Sequence, residues 1–438
     1  MSGSPGGTDE KYEGIDYQKV NRDMIGTLTR ITWKYYLMVG LIAAYFVYAM
    51  SVWWLAQTRI GVGVTGGNNH IFWITYIITF VFWIGLSHAG TFLSAILHLL
   101  RADWRKPIYR IAEVMTSFAL FTTFLVLTLH LGRPWRGYFG LPFPVWREIW
   151  ANFRSPLGWD LIAISAYFTS SVLFLYVGTV PDIAVARDHM KGWRVKLYKV
   201  LSLGWRGTAR EWKALSRTYL IMASLITPLM ISVHSVVSWD FAAGITPGFH
   251  TTVLAPFFVE GALFSGIAGV ITLAILVRRF LNMEEYIQMG HMDKLGKFLL
   301  VLSLFWTYFH IVEVAGVFYS QNTNEIMTYM SKLYGTFAPT YWLMIATLTF
   351  APLLLFFPKV RTNIPAMFII AALVNVGMWF ERFNIIIPGL GTGHLPFVWA
   401  SYAPSWQEVS IILGTFAWFS LLFSIFLSAL GMYLLVVS

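Results

Sequence analysis

The chain has 438 residues, of which 57% are hydrophobic and only 12% charged, at a mean hydropathy of +0.63. A soluble protein carries roughly 25% charged residues, so the composition excludes a soluble globular fold and points to the membrane. The net charge of +10 does not point to nucleic acid, because the basic residues follow membrane topology, as set out below.

There is no cysteine. The chain therefore forms no disulfide and cannot supply thiolates to an iron–sulfur cluster. Any such cluster has to belong to a partner. Runs of about 20 apolar residues recur, the length that spans a bilayer core of about 30 Å. A membrane β-barrel would instead show alternating segments of about ten residues. The fold class read from this pattern is all-α: a polytopic membrane protein of about ten helices.

Residues 1–35 open with MSGSPGGTDEKYEGIDYQ, polar and glycine-rich, without the apolar core of a signal peptide. They read as a cytoplasmic N-terminal arm. Residues 36–438 read as one membrane domain, with spans near 36–56, 71–99, 108–131, 158–180, 217–238, 256–279, 295–319, 337–357, 363–387 and 409–436. An even number of spans puts both termini on one side, side A. Side B receives Arg59, Arg133, Arg136, Arg147, Arg154, Lys332 and Arg382; every other lysine and arginine falls on side A. By the positive-inside rule side A is the cytoplasm. Two connections are long. The side A loop 181–216 is basic and reads as an amphipathic segment on anionic lipid. The side B loop covers 132–157.

That side B loop lies in the stretch LHLGRPWRGYFGLPFPVWREIWANFRSPLGWD, from Leu129 to Asp160. His130 stands at one membrane edge and Asp160 at the other. Between them come Arg133, Arg136, Arg147 and Arg154. Pro134, Pro142, Pro144, Trp135, Trp146 and Trp150 make it an ordered interfacial loop. A titratable pair, guanidinium groups and aromatic walls at a membrane surface suit an amphiphilic redox molecule such as a quinol. Quinol oxidation needs an acceptor for each hydroxyl proton. A neutral imidazole suits one, and a carboxylate can take the other or orient the histidine. The plainer alternative is that both residues are interfacial and satisfied by water and arginine.

Ionisable groups inside spans are costly, so each is a functional candidate. His88 lies in the middle of span two and Glu113 in the side A third of span three. His234 and Asp240 sit at the outer end of span five, and Glu260 opens span six. His310 and Glu313 share a face of span seven. Glu381 and Arg382 end span nine. For His88 a bond to a neighbouring carbonyl competes with a place on a proton path. His310 with Glu313 reads as a buried polar pair or relay, and Glu381–Arg382 as a structural ion pair at the interface. Asp240 either lines the outer cavity or caps the next segment. The histidines could also ligate b-type haem by residue type, but their depths do not match.

Six segments in the same order, WIGLSHAGTFLSAIL, LHLGRPW, NFRSPLGWD, HSVVSWDFA, PGFHTTVLAPFFVEGALFSG and NVGMWFERF, resemble the NrfD / polysulfide-reductase membrane subunit family. They are most similar to its branch in the quinol-oxidising alternative complex III. The resemblance runs from about Met24 through nearly the whole chain. It implies two four-helix bundles inside two flanking helices, in a bacterial inner membrane with both termini cytoplasmic. It implies a quinol, menaquinol expected, bound near the periplasmic surface, with His130 and Asp160 as its catalytic residues and Arg133, Arg154 and Trp135 around it. It implies a proton path through His88, Asp240, His310, Glu313 and Glu381. The implied partners are a periplasmic iron–sulfur protein, c-type haem subunits and a second, homologous membrane subunit; no metal or haem is expected in this chain. Arg133 and Arg154 would hold the loop and tune the pair, leaving His130 as primary proton acceptor. Glu260 departs from the family pattern, where a small neutral residue is expected. The alternatives are the homologous membrane subunit that moves protons without oxidising quinol, or a secondary transporter; the latter usually shows helices interrupted at the midplane, whereas here glycine and proline cluster at span ends.

Overall fold

The computed structural model describes residues 33–105, 107–140, 156–189, 191–249, 251, 253–395 and 399–430. Of the residues discussed above, the arm to residue 32 and Pro142, Pro144, Trp146, Arg147, Trp150 and Arg154 lie outside them. The described residues are helical, with no strand among them. Ten helices are long and apolar enough to cross a membrane: α1 Trp33–Thr58, α2 Thr75–Leu99, α3 Tyr109–His130, α4 Pro156–His189, α5 Ala209–Ala242, α6 Leu254–Phe280, α7 Met289–Ser320, α8 Ala338–Phe356, α9 Ile364–Gly391 and α10 Trp406–Ser428. They are the ten expected spans, and the chain is a multi-pass membrane protein.

Their packing follows from which helices are apolar all round. A helix buried inside a bundle has no polar face, and α2 and α6 are the most enclosed, with 89% and 72% of their central windows buried. α2 packs on α3 and crosses to α6; α4 packs on α5; α6 meets α7 and α9, and α8 meets α9. This gives two four-helix bundles, α2–α5 and α6–α9, joined along α2 and α6. α1 packs along α10 outside them, and α10 lies on α3. Apart from its contact with α10, α1 is little buried. Small residues let the central backbones touch. A Cβ on Gly90 would run into Thr116 and Ala112 of α3, and one on Gly266 into Ala89 of α2.

Several helices run further than hydropathy indicates. α4 continues past Pro181 to His189, so the basic loop after it is largely helix: the end of α4, a short surface helix Trp193–Leu201, and the start of α5. That start is fixed by a capping box, in which Thr208 and Glu211 satisfy each other's backbone N–H groups. α9 continues past Glu381 and Arg382, through Pro388, to Gly391. These two residues are therefore inside a helix and fully enclosed, at 1% exposure each, not an ion pair at the membrane interface.

Candidate functional site

Three helix ends of the first bundle converge at side B. His130 is the last residue of α3, Asp160 stands near the start of α4, and Asp240 near the end of α5. Between them is a cavity of about 360 Å³. Its wall is otherwise apolar: Trp73, Ile77, Phe80 and Val81 before and along α2, Leu127 and Leu131 around the end of α3, Leu157, Leu161 and Ile164 of α4, and Val237 and Phe241 of α5. Trp73 meets Phe241 edge-on at 5.3 Å, and Phe249 closes the same aromatic group at 5.4 Å from Phe241.

The carboxyl groups of Asp160 and Asp240 are within hydrogen-bonding reach of each other. A hydrogen bond between two carboxyl groups needs one proton between them, because an ionised carboxylate only accepts. One oxygen of each aspartate, and Nδ1 of His130, have no hydrogen-bond partner among the described residues. All three residues line the cavity, and these three atoms are buried at it without a protein partner among the described residues. The group beside Asp160 is a second carboxyl; no arginine pairs with it among the described residues. Arg154, expected to tune this aspartate, lies outside the described residues. Neither Arg133 nor Trp135 is in the cavity wall, and Trp135 is more than half exposed.

The residues expected on one proton path fall in three places. Asp240 is in the cavity. His88 and Glu381 are at the centre, between the bundles. The His88 ring lies 4.5 Å from that of His234. Its Nδ1 faces the Ile84 carbonyl at 2.7 Å and its Nε2 the Met230 carbonyl at 3.1 Å. A neutral imidazole has one N–H, so it can donate to only one of them. Both nitrogens of His234 are buried without partners among the described residues. Nearby, Arg382 pairs with Glu381 and lies over the Phe258 ring at 5.2 Å, close against Gly85 and Gly261. Glu260 is within electrostatic reach of this guanidinium.

His310 and Glu313 are in the second bundle. His310 stacks on Trp306 with planes 8° apart, and its Nε2 is 2.9 Å from the Tyr341 hydroxyl, which in turn meets Tyr329. Glu313 is 3.5 Å from His310 Nδ1. The surface helix Thr323–Leu333 brings Lys332 over the Tyr329 ring at 5.5 Å. Burial pushes the Lys332 ammonium below the ordinary lysine range, and the charge of Glu313 opposes that shift.

At side A, Glu113 is not alone. Arg110 reaches it at 2.9 Å and Asp182 at 3.3 Å, and also donates to the Gly178 carbonyl; Tyr219 donates to the second Glu113 oxygen. Arg110 and Asp182 do not stand out in the sequence because each lies at or beyond the apparent end of its apolar run. The available signal is the spacing of Arg110 and Glu113, three apart on one helix face.

By class the molecule is a polytopic helical membrane protein with a ligand-sized, ionisable cavity at one face of its first bundle. It belongs to the polysulphide reductase NrfD family, whose pattern matches residues 63–392. Over 408 residues it is 25% identical to a Halobacterium salinarum protein provisionally named as a membrane subunit of dimethyl sulfoxide reductase, covering 86% of each chain. Over 406 residues it is 24% identical to the menaquinone reductase integral membrane subunit of Nitratidesulfovibrio vulgaris, covering 86% of this chain and 85% of that one.

Removing one partner from a buried charge network leaves the others uncompensated, at a cost of about 3–5 kcal/mol. Arg110→Leu is therefore expected to destabilise the protein by that amount, read as a lower thermal midpoint in detergent. Arg133→Ala, a residue without an ion pair among the described residues, is expected to leave it within about 0.5 kcal/mol.

Proposed function

We propose that this chain is the quinol-binding, quinol-oxidising membrane subunit of a multi-subunit electron-transfer complex. The observation that carries the reading is the meeting of His130, Asp160 and Asp240 in one apolar cavity at the end of a helix bundle. A volume of about 360 Å³ is at the lower end of small-molecule sites, roughly 300–1,000 Å³. It suits a quinol ring, with the isoprenoid tail left among the helices and lipid. Oxidation releases two protons and two electrons. His130 Nδ1 takes one hydroxyl proton. The Asp160–Asp240 pair, holding one proton between two carboxyl groups, takes the other. Both then leave to side B, the periplasmic side of a bacterial inner membrane, with the termini in the cytoplasm. The electrons leave to a partner, because a chain without cysteine cannot hold the iron–sulfur cluster that would accept them.

The names of the relatives support a quinone, menaquinone first, and a place among other redox subunits. The finer assignment is to an alternative complex III, with a periplasmic iron–sulfur protein, c-type haem subunits and a second homologous membrane subunit as partners. It rests on the six segments quoted above. Arg133 and Trp135 are assigned to the partner-facing rim of the side B loop, and Arg154 keeps its place as a quinol-site candidate.

Positioned proton acceptors contribute about 10²–10⁴-fold to such reactions. In the purified complex, His130→Ala and Asp160→Asn are each expected to lower quinol:acceptor turnover at least about 100-fold with all subunits still assembled. Asp240→Asn should lower it as well. Wild-type turnover in both His130→Ala and Asp160→Asn contradicts the reading.

Proton translocation belongs to the same proposal. Asp240 and His234 lie on α5, about 9 Å apart along its axis at 1.5 Å per residue, so the centre is within a short step of the cavity. His310 and Glu313 have no such link to it among the described contacts. Protons moved per electron, measured in vesicles, are expected to fall in His88→Leu and to stay unchanged in His310→Leu. A fall in His310→Leu alone moves the path to the second bundle, and no change in either leaves His88 a packing residue.

A further inference from the structure

His130 raises a question of position. Its Nδ1 has no partner among the described residues, so no hydrogen bond at that nitrogen aims the ring. Its backbone sets the point and direction from which the ring departs. That backbone is held from an unexpected place, the outer end of α1.

Few residues of α1 are buried, yet Gln57 and Thr58 at its end are, at 1% and 5% exposure. The helix changes there to a π-turn, Trp53–Thr58. A π-turn hydrogen-bonds five residues back and so rotates the residues after it relative to the helix before it. Here it accompanies the turn of Gln57 and Thr58 inward to α3. The Gln57 amide Nε2 donates to the Leu129 carbonyl at 2.8 Å, and the Trp53 indole donates to the same oxygen at 3.2 Å. Thr58 Oγ1 donates to the Gly132 carbonyl at 3.1 Å. The Tyr76 hydroxyl donates to Gln57 Oε1 at 2.8 Å, which fixes the orientation of the amide.

The Leu129 carbonyl and the His130 nitrogen belong to one planar peptide unit. The two side-chain donors join the Gly132 N–H, 3.2 Å from the same oxygen, and together they hold the plane from which the His130 side chain departs. Gly132 holds the other side. It has φ +64, and a Cβ there would come within 2.9 Å of Val62, so the turn after His130 is seated against the α1–α2 connection.

We propose that Gln57 is a positioning residue for His130: through the Leu129 carbonyl, the buried end of α1 aims the imidazole into the cavity. This rests on the reading of that cavity as the quinol site. A misplacement of about 1 Å costs up to about 10²-fold in rate. In the purified complex, Gln57→Leu is expected to lower kcat about ten- to hundredfold, with KM for quinol within about twofold of wild type and with a shifted pH profile of kcat. Tyr76→Phe keeps the Gln57 donor but frees its amide to turn. It is expected to lower kcat less and to shift the profile in the same direction. A merely structural residue would change the yield of assembled complex and leave kcat, KM and the profile unchanged.

Wild-type kcat and pH profile in assembled Gln57→Leu overturn the proposal. Where Gln57→Leu does not assemble, Tyr76→Phe decides, and wild-type kinetics there overturn it. His130→Ala measured alongside separates the two claims. If it is inactive while Gln57→Leu is normal, the clamp alone fails. If it turns over normally, the quinol-site reading fails and the clamp with it.

Discussion

An ionisable side chain in hydrocarbon is costly unless something pairs with it, hydrogen-bonds to it or hydrates it. The arrangement of this molecule follows from that constraint. Its described buried charges are gathered into a few clusters: the aspartate pair with His130, the Arg382 group between the bundles, the Arg110 network at side A and the His310 group in the second bundle. Each cluster draws residues from at least two helices, so the polar groups also hold the helices in register. The Arg110 network and the His310 group are largely matched internally, charge against charge or against hydroxyls and carbonyls. The Arg382 group and the aspartate pair with His130 both keep atoms without a partner among the described residues. What sets the latter apart is its cavity, otherwise lined by hydrocarbon.

How far the molecule can be read from its residues follows the same physics. Runs of about 20 apolar residues identify spans because a bilayer has a fixed thickness, and all ten are found. Helix ends are less legible. Beyond the hydrocarbon a helix needs no apolar residues, so the extension of α4 through Pro181 and the start of α5 at Ala209 leave no mark in hydropathy. His130 and Asp160 can be picked out because they bracket one arginine- and tryptophan-rich loop. The contact of Asp160 with Asp240 cannot, because it joins residues far apart in sequence through the packing of α4 on α5. Gln57 is harder still. An uncharged amide at the end of a span looks ordinary, and only its bonds to the end of α3 give it meaning.

The family assignment and the geometry bear on different questions. Membership in the polysulphide reductase NrfD family accounts for the ten-helix frame. It leaves open which groups face the cavity. There the structure adds detail: of the two readings of Asp240 it is the cavity-lining one that appears, beside Asp160, and Arg133 and Trp135 are not in the cavity wall. The polar groups in the described wall are a carboxyl pair and a histidine, which suit receiving protons.

The central claim is that a quinone ring occupies the cavity between α3, α4 and α5. The most direct test is photoaffinity labelling of the native complex with an azido-menaquinone analogue, followed by peptide mapping. The account predicts label on peptides around Leu127–Leu131, Leu157–Ile164 or Val237–Phe241, suppressed by excess menaquinone and lost in Asp160→Asn. Label confined to the second bundle, or label that excess menaquinone does not suppress, would contradict it.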